Sequence, residues 1–216
     1  MKRLIPPRPM KASFIGFTLL ISALAVQAAQ TEDSIGIAAE KYFTESFARL
    51  GNIAAQKPTV KTFRKIMKPC KEATPGFFGG TLIDTDYVIR QTYFKINALL
   101  GARGFDLKKV KQLKAFWKQM DEAPAPQLSE PGHSLTQPIH LIAMRYPIII
   151  DGKLEGVVSM LVKTKEFLKA SGLKECRAYK IICLGELAED KGKLSDHYRE
   201  VKLTLPSTEW VIQYDL

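Results

Sequence analysis

Residues 144–172, "MRYPIIIDGKLEGVVSMLVKTKEFLKASG", decide the fold, because they join two apolar segments through a tight turn and end in a short helical pattern. The turn is Asp151-Gly152-Lys153, and an Asp-Gly pair between apolar segments is a strong hairpin signal. The helical segment "KEFLKAS" stops at Gly172, a residue typical of helix ends. The stretch therefore predicts strand, turn, strand and helix, with both strands unusually apolar on both faces.

The amino terminus has the pattern of a secretory signal. "MKRLIPPRPMK" carries four cations and no acid, and it precedes the apolar run "ASFIGFTLLISALAV" and the small-residue site "VQA". This order predicts a signal peptide over residues 1–28, cleaved after Ala28, and a bacterial periplasmic protein. The alternative is an uncleaved membrane anchor, since an apolar run of about 15 residues is short for a span but can cross when tilted.

Charge argues against a nucleic-acid partner. The formal net charge is +10, but the basic residues are scattered and no aromatic-basic motif accompanies them. The densest group of lysines follows one predicted helix, where it forms a solvated face: Lys108, Lys109, Lys111, Lys114 and Lys118.

The cysteines and histidines predict neither a metal site nor a cofactor. Cys70, Cys176 and Cys183 cannot all pair within one chain, so an oxidising compartment permits one disulfide with one thiol left over. The sequence has no CxxC or CxxCH spacing, which excludes motif-based haem attachment and thioredoxin-like chemistry. Its three histidines show no ligand spacing with the cysteines.

No catalytic motif is present either. A serine hydrolase would need a nucleophile elbow such as GxSxG, which the chain lacks. Cysteine–histidine chemistry has only the bare presence of both residue types in its favour. We therefore expect a protein that is not an enzyme.

The pattern that follows the predicted signal peptide indicates two helices and a hairpin. A pattern from Ser34 repeats at three- and four-residue steps through Ile35, Ala39, Tyr42, Phe43, Phe47 and Leu50. A second helical pattern opens at Pro58 and ends at Pro69. The segment "FFGGTLIDTDYVIRQTYF" then predicts two strands, with Asp84-Thr85-Asp86 as their turn.

The rest of the chain predicts one more helix and several strands. Asp106 caps a helix whose apolar stripe is Leu107, Val110, Leu113, Trp117 and Met120. A long proline-rich loop over residues 123–138 follows. After the opening hairpin, strands are predicted in "RAYKIICLGE", "YREVKLTLP" and "TEWVIQYDL". Strands joined by short turns favour an antiparallel sheet and the α+β class.

The hairpin carries a family resemblance. "RYPIIIDGKLEGVVSMLVKTKEFLKASG" resembles the Cache family, the PAS-like sensor domains of bacterial extracytoplasmic receptors. Pro147, Gly152, Gly156, Val157 and Val158 stand where that family has its late central hairpin. "GTLIDTDYVIRQT" looks like the early hairpin of the family, the helix from Ser34 like its long N-terminal helix, and "STEWVIQYDL" like its last strand. The resemblance covers about residues 31–216.

The resemblance implies a fold and a division of the chain. It implies a PAS-like antiparallel β-sheet with a long N-terminal helix and helices packed on one face. The apolar hairpin would then be central, with helices behind it and a ligand-side layer in front. We expect a helical segment over residues 29–70 and the sensor domain over residues 71–216.

The resemblance also implies ligand binding. Receptor members continue from the last strand into a transmembrane helix and an output module, whereas this sequence stops at Leu216. We therefore expect an exported stand-alone domain that binds a small, anionic ligand and signals through a separate membrane receptor or kinase. Two alternatives are a non-catalytic structural or protein-interaction domain in the periplasm, and a membrane-anchored sensor with an uncleaved signal.

Arg145 is the first candidate for ligand binding. It shares a predicted strand face with Leu141, Ala143 and Ile149, and a guanidinium among apolar side chains needs an anion. It could grip a carboxylate at two points. The alternatives are an internal pair with an acid, or a strand-end position that reaches solvent. The weaker candidates are Tyr146, Arg90, Tyr93 and Trp117, of which Trp117 also fits the apolar core stripe. No family ligand motif matches cleanly.

Overall fold

The computed structural model describes residues 15–94, 102–133 and 139–216, with side chains from Ser34 onward except that of His133. Two compact units make up the chain, Met1–Ser34 and Ile35–Leu216. The predicted signal peptide lies outside the described side chains, and only its helical backbone from Ile15 is described. Within the described residues, no helix has the length and hydropathy needed to cross a membrane.

The described part of the chain has four α-helices, and their bounds correct two predictions. They are α1 (Ile15–Ala55), α2 (Phe63–Ala73), α3 (Lys114–Glu122) and α4 (Thr164–Ala170). The second helix begins at Phe63 rather than at Pro58, and Pro69 lies inside it rather than at its end. A proline inside a helix removes one hydrogen bond. The helix continues past Pro69 because Phe63, Met67 and Cys70 are buried along one face.

The lysine-rich segment is also different from the prediction. Asp106 does cap it, since its side chain accepts a hydrogen bond from the Lys108 amide. The segment is not one helix, however, but two 3₁₀ turns, Leu107–Lys109 and Lys111–Leu113, followed by α3. Three-residue 3₁₀ turns give the stripe an irregular period, and only Leu107, Trp117 and Met120 of it are buried.

The first sheet contains both predicted hairpins. Its strands in the described residues are β1 (Phe77–Ile83), β2 (Ile89–Phe94), β3 (Gln127–Leu128), β4 (Gly132–His133), β5 (His140–Ile150) and β6 (Lys153–Lys163). Their order is β2-β1-β6-β5-β3, with β4 also pairing with β5, and every pairing is antiparallel. The hairpin of β5 and β6 is thus central, as predicted.

The remaining strands form a second sheet, a division that the sequence did not indicate. In the described residues it consists of β7 (Ala178–Cys183), β8 (Glu186–Lys191), β9 (Arg199–Leu205) and β10 (Thr208–Asp215), in the order β8-β7-β10-β9. The chain leaves the first sheet through α4 and Gly172, whose positive φ of 84° ends the helix as predicted.

One hydrophobic core joins both sheets to α1 and α2. Phe43 of α1 packs edge to face on Trp210 of β10, with ring centroids 5.1 Å apart, and lies 4.9 Å from the ring of Phe167 in α4. Ile142, Met144 and Ile148 of β5 face the same core. These residues alternate with Arg145, so the side chain of Arg145 points to the opposite face of the first sheet. The predicted α+β class with a long N-terminal helix is confirmed.

Candidate functional site

Arg145 belongs to a buried polar row that crosses the first sheet. It pairs with Gln127 on β3 and with Ser159 on β6, and Ser159 in turn pairs with Thr81 on β1. Thr92 of β2 completes the row opposite Thr81. Paired residues in antiparallel strands point to the same face. All five side chains are buried, so one cation and four neutral polar groups share the sheet face opposite α1.

Two different environments flank the polar row. On one side the ring of Phe94 lies across Gly79, where an added Cβ would come within 1.9 Å of it. On the other side is a second apolar cluster that packs α3 and the 3₁₀ turns on the sheet, and its buried members are Ile83, Tyr87, Ile89, Leu107, Trp117, Met120 and Val157. The row is thus the polar part of a mostly apolar surface, which is the usual composition of a small-molecule site.

The guanidinium of Arg145 lies against two aromatic rings. Its central carbon is 4.9 Å from the ring centre of Phe116 and 5.3 Å from that of Trp117. Only 6% of the residue is exposed, and within the described residues Nη1 has no hydrogen-bond partner. Burial lowers the pKa of Arg145 to about 10, against a smaller opposing effect of the Glu130 carboxylate. The group is therefore a buried cation at neutral pH.

Cation–π contacts only partly offset the cost of burying this charge. Each such contact contributes about 0.5–2 kcal/mol, whereas desolvating an ion costs several kcal/mol in a real protein. Among the described side chains, no carboxylate lies within salt-bridge distance of Arg145. Within the described residues, the charge of Arg145 is therefore only partly compensated, by the two aromatic rings and by the more distant Glu130 carboxylate.

Gln127 contributes a second unpaired polar atom to the row. Its Nε2 donates to the carbonyl oxygen of Phe116 at 2.9 Å, which joins β3 to α3. Its Oε1 is buried and has no donor within the described residues. Arg145 thus has an unpaired hydrogen-bond donor, Nη1, and Gln127 has an unpaired acceptor, Oε1. The two residues are direct partners on adjacent strands.

An open groove of about 400 Å³ lies beside α3. Tyr87 stacks on Trp117 at its floor, with ring centroids 4.5 Å apart. The Tyr87 hydroxyl donates to Asp121 and, at 3.2 Å, to the Trp117 carbonyl. Burial and the Asp121 carboxylate raise the pKa of Tyr87 well above its usual value. The groove walls add Lys108, Lys114, Lys118 and Glu122, which makes the groove a solvated surface of mixed charge.

The structure brings together two of the five predicted site residues. Arg145 and Trp117 are in contact, whereas Tyr146 and Tyr93 point to the face of the sheet that packs on α1 and α2. Tyr146 packs at Gly51 of α1, and Tyr93 lies 6.0 Å from the Phe77 ring. Arg90 lies at the protein surface and forms an ion pair with Asp84. Tyr146 and Arg145 are consecutive in a strand, so their side chains cannot share one face.

Sequence reasoning missed the remaining members of the row. Thr81, Ser159 and Thr92 are small hydroxyl residues inside β-rich segments, and only the register of β1, β2 and β6 aligns them with Arg145. Gln127 belongs to the segment over residues 123–138, which the sequence predicts as a loop. A polar residue in each of several apolar strands was the available signal, but the sequence does not fix strand order.

The cysteines are structural in the described residues. Cys70, Cys176 and Cys183 are all buried free thiols, so none of them forms the disulfide that the compartment would permit. Burial raises the pKa of Cys70 to about 11 and that of Cys183 to about 12. Such thiols stay protonated at neutral pH and are poor nucleophiles. Among the described side chains, no group of three acidic, histidine or cysteine residues could hold a metal ion.

No family model matches the chain, and no curated protein sequence matches it. Solved structures do match. An extracellular ligand-binding receptor from Desulfohalobium retbaense aligns with a TM-score of 0.63 at 13% identity, over 94% of this chain and 41% of the receptor. The chain thus spans less than half of that receptor.

Two ligand-binding domains align over nearly their whole length. That of the Pseudomonas fluorescens chemoreceptor CtaA, in complex with L-alanine, has a TM-score of 0.61 at 16% identity and covers 88% of this chain and 96% of its own. The second is that of the Pseudomonas aeruginosa amino acid chemoreceptor PctC, in complex with GABA. It has a TM-score of 0.58 at 12% identity, and the alignment covers 81% of this chain and 92% of the PctC domain. The chain has the PAS-like fold of Cache-type sensor domains, which confirms the resemblance seen in the hairpin.

Proposed function

We propose that this protein is a non-catalytic sensor domain that binds a small carboxylate at the polar row around Arg145. The observation that supports the proposal most directly is the buried guanidinium with an unpaired Nη1. A carboxylate would neutralise it and accept hydrogen bonds at two points, which an aromatic ring cannot do.

Access to the row requires a rearrangement. Nη1 of Arg145 and Oε1 of Gln127 are both shielded from solvent, so a ligand can reach them only when the side chains above the row move apart. Phe116 is only half-buried and belongs to the short helix α3. Movement of this helix would open the row without disturbing the core on the other face of the sheet. Binding would therefore be coupled to a conformational change, as a sensor requires.

Titration of Arg145 variants tests this function. A thermal-shift screen of organic acids, amino acids and amines identifies a binder, because a ligand that binds only the native state raises its stability. Arg145→Lys keeps the charge but loses the planar two-point grip, so it should weaken carboxylate binding about tenfold or more in calorimetric titration. Arg90→Lys, at the protein surface, is the matched control and should bind like wild type. Equal affinity of wild type and Arg145→Lys for every binder would remove Arg145 from the site.

We also propose that the protein is exported and acts on a separate membrane receptor or kinase. The basic and apolar pattern of residues 1–28 supports export. The exported form would consist of the helical segment 29–70 and the sensor domain 71–216. Amino-terminal sequencing of the protein from the periplasm should begin at Ala29. Intact protein retained in the membrane would instead favour the anchored form.

A further inference from the structure

The orientation of the Gln127 amide is set by its surroundings. Its Nε2 donates to the Phe116 carbonyl, which can only accept, so the other end of the amide must be the oxygen Oε1. This oxygen is buried without a donor among the described residues. An unsatisfied buried acceptor is costly, and its cost is recovered when a donor arrives.

The two unpaired atoms of the row lie on neighbouring residues, and Nη1 of Arg145 and Oε1 of Gln127 form no hydrogen bond with each other. Gln127 and Arg145 are direct partners across β3 and β5, and opposite residues of an antiparallel pair have Cβ atoms about 5 Å apart. A ligand that satisfies Nη1 and Oε1 together therefore needs an anionic acceptor and a hydrogen-bond donor a few atoms apart. A small carboxylate with a donor on its 2-position meets this requirement.

Charge determines which donor fits. The row contains one cation, and its other members, Gln127, Ser159, Thr81 and Thr92, are neutral. The Glu130 carboxylate that acts on Arg145 belongs to an exposed residue. A carboxylate ligand neutralises the guanidinium, whereas an added ammonium group would be a second cation in a buried site without an acid among its described side chains. A hydroxyl supplies the donor without that charge.

We propose that the Arg145 row is specific for a small 2-hydroxycarboxylate, whose carboxylate binds Arg145 and whose hydroxyl donates to Oε1 of Gln127. This inference rests on the proposed function and adds Gln127 as the residue that sets specificity. It separates the protein from the two chemoreceptor domains above, whose bound ligands, L-alanine and GABA, carry an amino group.

Three ligands of equal carbon number test the proposal by calorimetric titration of the full chain: L-lactate, L-alanine and propanoate. L-lactate should bind about tenfold tighter than either of the others, or more. A tenfold difference in affinity corresponds to ~1.4 kcal/mol, and a hydrogen bond to a buried acceptor that otherwise has no donor contributes a free energy of that order. Tighter binding of L-alanine than of L-lactate would overturn the proposal.

Two glutamine variants locate the selectivity. Gln127→Met removes the acceptor and should bring the affinities for L-lactate and propanoate to within about twofold of each other, a difference well below one hydrogen bond. Gln91→Met is the matched control, because Gln91 is also a buried strand glutamine with a hydrogen bond to a backbone carbonyl, that of Val60. It pairs with Leu82 on the other face of the sheet, so this variant should keep the preference for L-lactate.

The outcomes separate this inference from the proposed function. If L-lactate and propanoate bind wild type equally and Arg145→Lys weakens both, the carboxylate site stands and the role of Gln127 is wrong. If none of the three binds, the 2-hydroxycarboxylate proposal fails, and the screen of other carboxylates decides the proposed function. If Arg145→Lys changes the binding of none of them, both proposals fail. Selectivity for L-lactate that survives in Gln127→Met would also overturn the role of Gln127.

Discussion

Two glycines of the central hairpin show how single residues fix this fold for different reasons. Asp151 and Gly152 have φ values of 50° and 78°, the left-handed pair that a two-residue hairpin turn requires. An added Cβ on Gly152 would meet nothing within 4 Å. Gly156 has a φ of 155°, and its added Cβ would lie 2.6 Å from the carbonyl oxygen of Ile83. Glycine is thus required at position 152 only for its backbone conformation. At position 156 it also leaves room for the close approach of β1.

This difference predicts unequal costs for the same substitution. Gly152→Ala should lower the free energy of unfolding by about 1–2 kcal/mol, the cost of a left-handed non-glycine residue. Gly156→Ala should lower it by roughly 3 kcal/mol or more, because strain at a positive φ adds to a clash with backbone that cannot rotate away. Urea denaturation of both variants measures the two costs. Equal denaturation midpoints for the two variants would mean that β1 moves away from an alanine at position 156 without loss of stability.

At the scale of elements, the end of β10 is held by a single carboxylate. Oδ2 of Asp215 accepts hydrogen bonds from the Ser195 amide at 2.6 Å and from Arg177 at 3.0 Å, and Oδ1 accepts one from the Ser195 hydroxyl at 2.9 Å. These bonds join β10 to the segment before β7 and to the connection between β8 and β9. The hydrogen bond from the Ser195 amide is the main reason that the pKa of Asp215 lies below its usual value.

The lowered pKa of Asp215 predicts how stability depends on pH. A carboxylate with a lower pKa in the folded state stabilises that state fully above its unfolded pKa, about 3.9, and the stabilisation is lost as pH falls through the folded pKa. Asp215→Asn should therefore lower stability at neutral pH and flatten the loss of stability in acid. Denaturation midpoints at a series of pH values from about 2 to 7 span this range.

A control variant separates this effect from the mere loss of one negative charge. Asp190 on the edge strand β8 is exposed, so Asp190→Asn removes a charge without breaking the contacts of Asp215. It should keep the acid dependence of wild type. An unchanged acid profile in Asp215→Asn would mean that the contacts of Asp215 do not stabilise the end of β10.

The elements that the sequence predicted best are those with a strong local signal. The helix from Ser34, the hairpin turn at Asp84-Thr85-Asp86 and the turn at Asp151-Gly152 all have periodicity or turn chemistry of their own. The sequence predicts that the second helix opens at Pro58 and ends at Pro69, because its apolar pattern is bounded by these prolines. Packing of Phe63, Met67 and Cys70 in the core outweighs the hydrogen bond that Pro69 removes.

The candidate site was only partly predictable for a related reason. The conflict between a permanent charge and apolar neighbours identified Arg145 from one strand alone. Its partners Gln127 and Ser159 come from other strands, and their alignment depends on a strand order that no local pattern encodes. Tyr146 is the neighbour of Arg145 in the sequence, but consecutive residues of a strand point to opposite faces of the sheet.

At the scale of the whole molecule, β3 links the polar row to the second sheet. Gln127 of β3 pairs with Arg145, and the amide of the next residue, Leu128, donates to the Pro206 carbonyl at 3.2 Å and to the Ser207 hydroxyl at 3.3 Å. Pro206 and Ser207 form the turn between β9 and β10. A two-residue strand thus contacts the proposed ligand site on one side and the second sheet on the other.

This connection predicts that ligand binding slows amide exchange in the second sheet. A ligand that fixes Gln127 and Arg145 should also hold β3 against β5, which favours the hydrogen bonds of Leu128 to the turn at Pro206 and Ser207. With L-lactate, amide exchange measured by mass spectrometry should therefore slow at Leu128 and in the β9–β10 turn. Among the described residues, no hydrogen bond links the turn between β7 and β8, at Leu184 and Gly185, to β3. This turn should therefore exchange at the same rate with and without ligand.

Arg145→Lys provides the matched variant for this measurement. At a concentration of L-lactate that saturates wild type but not the variant, the slowing at Leu128 and in the β9–β10 turn should disappear. Slowing confined to the first sheet in wild type would mean that β3 does not carry the effect of binding. The remaining contacts between the two sheets in the described residues include those of α1 and α4, since Phe43 and Phe167 both pack on Trp210 of the second sheet.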